Sequence, residues 1–164
     1  CVLAFSASCI LSSIPRLRDL GEAPETIGPS LTLIIAQRLV RILCPKCKKV
    51  AAASAALKSG VEKLLARLPA AVDRAPYKKW VIYESVGCPG CNGLGYRGRK
   101  GIFEFLEVTP ALQELILKKT SEPSIRKLAR EQGLVTFQED GILKTLRGET
   151  SLDEVGKVTG PIEW

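Results

Sequence analysis

Two C-x-x-C pairs, Cys44-Pro45-Lys46-Cys47 and Cys88-Pro89-Gly90-Cys91, restrict this chain more than any other feature. Each pair can place two thiolates on one tight turn, which is half of a tetrahedral four-sulfur site. Pro45 and Pro89 stiffen those turns, and Gly93, Gly95 and Gly98 suit a turn-rich knuckle. Four soft ligands favour zinc over harder cations, and a site filled by four protein ligands leaves no position for water or substrate. Cys44, Cys47, Cys88 and Cys91 are therefore expected to hold a structural Zn²⁺, not a catalytic one. The ion would close a loop of more than forty residues and contribute folding energy to a subdomain with little apolar content. Three rival readings remain: a thioredoxin-type redox pair, which needs only one C-x-x-C, an iron–sulfur centre, and unliganded thiols. Cys1 and Cys9 stand apart from the pairs, and Cys9 reads as a small buried residue.

Composition then narrows the class. In 164 residues, 46% are hydrophobic and 25% charged, which excludes collagen-like and wholly disordered chains. No apolar run approaches the length of a membrane span. The formal charge of +7 is regional: residues 1–100 carry 16 basic and 6 acidic side chains, and residues 101–164 carry 8 and 11. A mildly basic face permits nucleic acid, anionic lipid or an acidic protein, and selects none of them. The chain lacks methionine and histidine and begins at Cys1, so it reads as a fragment. Val2 to Phe5 fits a processed export signal or a buried strand, and no export is inferred.

Hydrophobic spacing predicts three blocks and a tail. Residues 1–43 hold the strand at Val2–Phe5, a short helix around Ile14, Leu17 and Leu20 ended by Gly21, a connection over Gly21–Pro29, and a second helix. That second helix would be capped by Ser30, with Leu31, Ile34, Ile35, Leu39, Ile42 and Leu43 on one face and Gln37, Arg38 and Arg41 on the other. Residues 44–108 form the cysteine subdomain, with a helix over Ala51–Leu68 and strands over Trp80–Glu84 and Ile102–Leu106. Residues 109–159 read as a small bundle of capped helices. Thr109-Pro110, Ser121 or Ser124, the Thr136/Glu139 capping box, and Thr150 or Ser151 would start them. Residues 160–164 are a tail.

Several stretches together carry a family resemblance: Gln37-Arg38-Leu39-Val40-Arg41-Ile42-Leu43 leading into the first cysteine pair, Gly87–Gly101 leading into Ile102-Phe103-Glu104, Ile14-Pro15-Arg16-Leu17 with Asp19-Leu20-Gly21, and Phe137-Gln138-Glu139-Asp140-Gly141. Over residues 2–159 the chain resembles the carboxy-terminal part of the type II secretion and type IV pilus assembly ATPases. The resemblance implies an α/β, mostly helical fragment of a RecA-like P-loop domain with a four-cysteine zinc subdomain. It also implies a homohexamer in the full-length protein, cytoplasmic and peripheral to the inner membrane. Such a hexamer hydrolyses ATP with Mg²⁺ to drive pseudopilus or pilus assembly against an inner-membrane platform protein. Gln37 and Arg38 would face nucleotide in such a motor, with a solvated helix face as the plain alternative.

The departures from the family are as informative. The chain has neither a Walker A loop nor a Walker B motif, so phosphoryl transfer is not expected of it alone. Where the family carries a histidine box after the first strand, this chain has Ala7, Ser8 and Cys9. Alanine can neither donate a hydrogen bond nor carry a proton, which puts nucleotide coupling in doubt even within a full motor. Two other functions compete. A stand-alone zinc module contacting nucleic acid or a partner protein would use Arg97, Arg99 and Lys100, but only Tyr96 among the aromatics lies close to them, so no nucleic acid is expected. A chaperone-type zinc module is suggested by Cys91-Asn92-Gly93-Leu94-Gly95, which occurs here once where J-domain co-chaperones repeat it.

Overall fold

The computed structural model describes residues 10–118 and 121–164. The expected strand at Val2–Phe5, the Ala7-Ser8-Cys9 segment and Cys1 lie outside the described residues. A 3₁₀ turn at Ile10–Ser12 leads into α1 (Ser13–Asp19), followed by α2 (Pro24–Ser30) and the long strand β1 (Leu33–Leu43). Next come β2 (Lys49–Val50), α3 (Ala55–Arg67), β3 (Tyr83–Glu84) and β4 (Tyr96–Glu107). Four helices close the chain: α4 (Pro110–Leu117), α5 (Glu122–Glu131), α6 (Phe137–Leu146) and α7 (Leu152–Thr159). β1 pairs with β4, and β2 pairs antiparallel with β3 in the register Lys49↔Glu84, Val50↔Tyr83. The fold is mixed α/β with small sheets.

The largest correction concerns β1. The helix expected over Leu31–Leu43 is a strand, and Ser30 is the last residue of α2 instead of a cap. From Leu33 to Val40 the burial alternates strictly, with Leu33, Ile35, Gln37 and Leu39 outward and Ile34, Ala36, Arg38 and Val40 inward. Apolar side chains on both faces satisfy a helical spacing as well as a strand's, and the β-branched content of Ile34, Ile35, Val40 and Ile42 decides for the strand. Gln37 and Arg38 consequently project to opposite faces.

The connection expected over Gly21–Pro29 contains α2, because Pro24 sits in the first turn, where its missing N–H costs nothing, with Glu25 beside it. The strand expected from Trp80 is ordered as a strand only at Tyr83–Glu84, and the one expected at Ile102 begins at Tyr96. Charged Arg97, Arg99 and Lys100 with Gly98 and Gly101 mask that first half, which carries little apolar alternation. Thr109, Thr136 and Ser151 cap as expected, Ser121 precedes α5 without a side-chain cap bond, and Ser54 caps α3, a cap not among those expected from the sequence. Ser54, Thr109, Thr136 and Ser151 each accept the N–H three residues on, and Thr136 and Glu139 form a full capping box.

The chain divides into two compact units. Residues through Ala36 with Glu104–Val135 form the first, around Ile14, Ile27, Leu106, Leu112, Ile116 and Ile125. Gln37–Phe103 with Thr136–Trp164 form the second, around Val40, Val61, Leu64, Ile102, Ile142 and Val155. The helices expected as one bundle are thus shared, α4 and α5 belonging to the first unit and α6 and α7 to the second.

Candidate metal centre

Cys44 directly follows β1, and the Pro45-Lys46 turn brings Cys47 back, with the Cys47 and Lys48 amides donating to the Cys44 carbonyl at 3.3 and 3.0 Å. Cys88 precedes a single 3₁₀ turn, Pro89–Cys91, in which the Cys91 and Gly93 amides both donate to the Cys88 carbonyl. The turn exits through Asn92, at φ 51°, into Gly93 and Gly95, also at positive φ. Gly87 must lack a Cβ, since one there would lie 2.4 Å from the Gly93 carbonyl oxygen. Two backbone links join the knuckles: the Cys44 amide donates to the Gly95 carbonyl at 2.9 Å, and the β2–β3 pair ties the exit of one to the approach of the other. Forty residues of separation in sequence are closed by these short ladders.

The four sulfurs lie within 4.8 Å of one another, with Cys47 Sγ–Cys91 Sγ at 3.8 Å and Cys88 Sγ–Cys91 Sγ at 3.7 Å. A tetrahedron with metal–sulfur bonds of about 2.3 Å has edges of about 3.8 Å, so the spacing fits a Zn²⁺-sized ion. It is far too long for a disulfide bond, and all four are free cysteines. Their acidities are split. Burial, reinforced by sulfur contacts with Cys44, Cys88 and Cys91, pushes the Cys47 thiol up to about 12 despite an amide from Gly87. Burial acts in the same direction on Cys91, but the Cys88 and Gly95 amides, donating at 3.3 and 3.2 Å, outweigh it and lower that thiol to about 6. Metal binding would require all four deprotonated, and the amides aimed at the Cys91 sulfur favour the first thiolate.

The knuckles also lean on polar contacts with α7 in the same unit. The Arg41 amide and guanidinium both donate to the Glu154 carboxylate, and the guanidinium lies 4.2 Å from the Tyr96 ring centroid. Tyr96 Oη and Ser151 Oγ are 2.8 Å apart, and Thr150 Oγ1 donates to the Arg41 carbonyl. Burial alone would raise the Glu154 carboxyl, but the Arg41 hydrogen bonds and charge hold it below the usual carboxylate range. The sequence marks Ser151 as a helix start and Arg41 as a face residue, and gives no sign that Arg41 meets Glu154.

Gln37 and Arg38 are not brought to the cysteines. Gln37 is exposed on β1, whereas the Arg38 guanidinium lies over the Phe137 ring and donates to the Val158 carbonyl. Arg97 and Arg99 are exposed, and Lys100 pairs with Glu149 at 2.6 Å.

Residues 4–157 match the family model for the Type II/IV secretion system protein. The chain belongs to that family. Over 149 residues it is 40% identical to the Type II secretion system ATPase E of Vibrio cholerae, covering 91% of this chain and 27% of the relative. It is 36% identical over 149 residues to the type IV pilus assembly ATPase PilB of Myxococcus xanthus, covering 91% and 25%. Against PilB of Thermus thermophilus it is 36% identical over 143 residues, 87% of this chain and 15% of the relative. The chain therefore spans about a quarter or less of the length of these relatives.

Proposed function

We propose that this chain forms the metal-bearing portion of a RecA-like motor that assembles a type II secretion pseudopilus or a type IV pilus. The observation that carries this reading is the cysteine cluster, with sulfur spacing of a four-coordinate site, inside a chain whose family is that of the secretion and pilus ATPases. Cys44, Cys47, Cys88 and Cys91 hold one structural Zn²⁺, which fixes the loop between β1 and β4 and takes no part in phosphoryl transfer. ATP and Mg²⁺ are bound by the complete motor, whose relatives are named as ATPases. In that motor the subunits form a hexamer working against an inner-membrane platform protein, at the cytoplasmic face. Among the described residues no helix is long and apolar enough to cross a membrane.

Two details refine the reading. Arg38 serves a stacking and carbonyl-binding role within its own unit, so any approach to nucleotide requires it to leave Phe137 and Val158. The outward side chains Leu33, Ile35 and Phe105 are 48%, 55% and 54% exposed on the β1 and β4 strands, apolar surface suited to burial under further protein.

The test is a chimera in which residues 10–159 replace the matching segment of the Vibrio cholerae ATPase. The chimera should assemble and hydrolyse ATP within about tenfold of the parent, a loss of about 1.4 kcal/mol or less, while the isolated chain turns over no nucleotide. Failure of the chimera to assemble, or hydrolysis by the chain alone, would contradict the proposal.

A further inference from the structure

Gly60 sits in the middle of α3, where glycine costs about 1 kcal/mol relative to alanine. It is buried, and a Cβ there would come within 2.2 Å of the Trp164 ring. The indole therefore occupies the place a side chain would take, which accounts for a residue that helix propensity disfavours. The path of the chain to that slot is fixed at each step. α7 stops at Gly160, whose φ of +94° reverses the backbone. Gln138, in the first turn of α6, then holds the following residues with both ends of its amide. Its Nε2 donates to the Pro161 carbonyl at 2.8 Å, and its Oε1 accepts from the Glu163 amide at 2.8 Å. Ile162 reaches Gly156 on α7, where a Cβ would be 3.9 Å away.

We infer that Gly160–Trp164 is a strap that closes α3 onto α6 and α7 and can be released without dismantling the cysteine centre. Beyond its core side chains Val61 and Leu64, α3 is held in this unit at two further points. Arg67 at its carboxy-terminal end binds the buried Glu139 of α6 at 3.1 Å, and the indole pins its middle. The cysteine turns are held by their own amides, by the β2–β3 pair and by Ser151 and Glu154 at the start of α7, whereas Ile162 of the strap meets α7 at Gly156. Loss of the indole thus frees the first half of α3 while leaving the Arg67 end and the metal ligands in place.

Two variants of the full chain test this in a Trp80→Phe background, where Trp164 is the sole indole. Trp164→Ala should speed amide exchange over residues 58–61 at least tenfold, with bound zinc per chain and exchange over residues 64–68 unchanged. Gly60→Ala is the sharper probe, because it improves helix propensity and would slow exchange if Gly60 were an ordinary helical position. The strap predicts faster exchange in Gly60→Ala together with a red-shifted Trp164 emission. Unchanged emission in Gly60→Ala, unchanged exchange in Trp164→Ala, or loss of zinc in either variant would overturn the inference.

Discussion

The two units solve the problem of burial in different ways. The first is closed by aliphatic side chains from α1, α2, β4, α4 and α5, with one buried carboxylate, Glu104, accepting the Ile10 amide at 3.0 Å. The second combines apolar packing with a four-sulfur cluster and two nearly buried carboxylates, Glu139 and Glu154, each answered by an arginine. A unit that contains forty residues looped between cysteine pairs has a smaller share of helix and strand over that stretch, and polar clamps take over where a continuous core is missing. One short chain thus closes one unit with aliphatic packing and builds into the other a four-sulfur cluster able to hold a metal.

The strongest way to break that comparison is to remove the metal. Structural zinc in small domains contributes on the order of 10–16 kcal/mol of apparent binding energy, so Cys88→Ser or a chelator should abolish exchange protection across residues 40–103. Residues 112–129 of the first unit should keep theirs, and equal losses in both units would refute the division. Core truncations come next. Ile125→Ala in the first unit and Ile142→Ala in the second should each cost about 2–5 kcal/mol in urea unfolding. Only the second should weaken metal retention.

The Arg41–Glu154 clamp ranks third. Glu154→Gln removes a charge-assisted pair, but Arg41 is partly solvated and can rehydrate, so the expected cost at neutral pH is about 1–3 kcal/mol. Because the folded carboxyl is depressed, its contribution is present above the unfolded range near about 4.3 and is lost as pH falls through the folded value. The difference between variant and parent should therefore close in acid, measured by urea titration at both pH values. Thr136→Ala, which opens the capping box of α6, should cost about 1 kcal/mol. Arg126→Ala, which breaks an exposed pair with Glu122, should stay within about 0.5 kcal/mol.

Much of this arrangement is legible in the sequence, and what is not has physical reasons. The cysteine pairs are readable because metal ligation fixes both residue type and spacing, and the late helices because Thr109, Thr136 and Ser151 mark their starts chemically. β1 reads as a helix because its apolar residues fall on both faces, which erases the period-2 signal. α2 is hidden because Pro24, Gly28 and Pro29 look like breakers, although proline at the start of a helix is no obstacle. The Arg41–Glu154 and Arg67–Glu139 pairs join residues 113 and 72 apart, and no local pattern records such a meeting. Gln138 and Gly60 carry no sequence signal of the chain segment they receive.

The account rests on one ion shared by four sulfurs from two distant turns. Elemental analysis with X-ray absorption at the zinc edge, on chain purified under reducing conditions, tests it directly. The account predicts one zinc per chain in an all-sulfur shell at about 2.3 Å. A metal-free chain with Cys44, Cys47, Cys88 and Cys91 all reactive toward thiol reagents, or a metal shell containing nitrogen or oxygen, would contradict it.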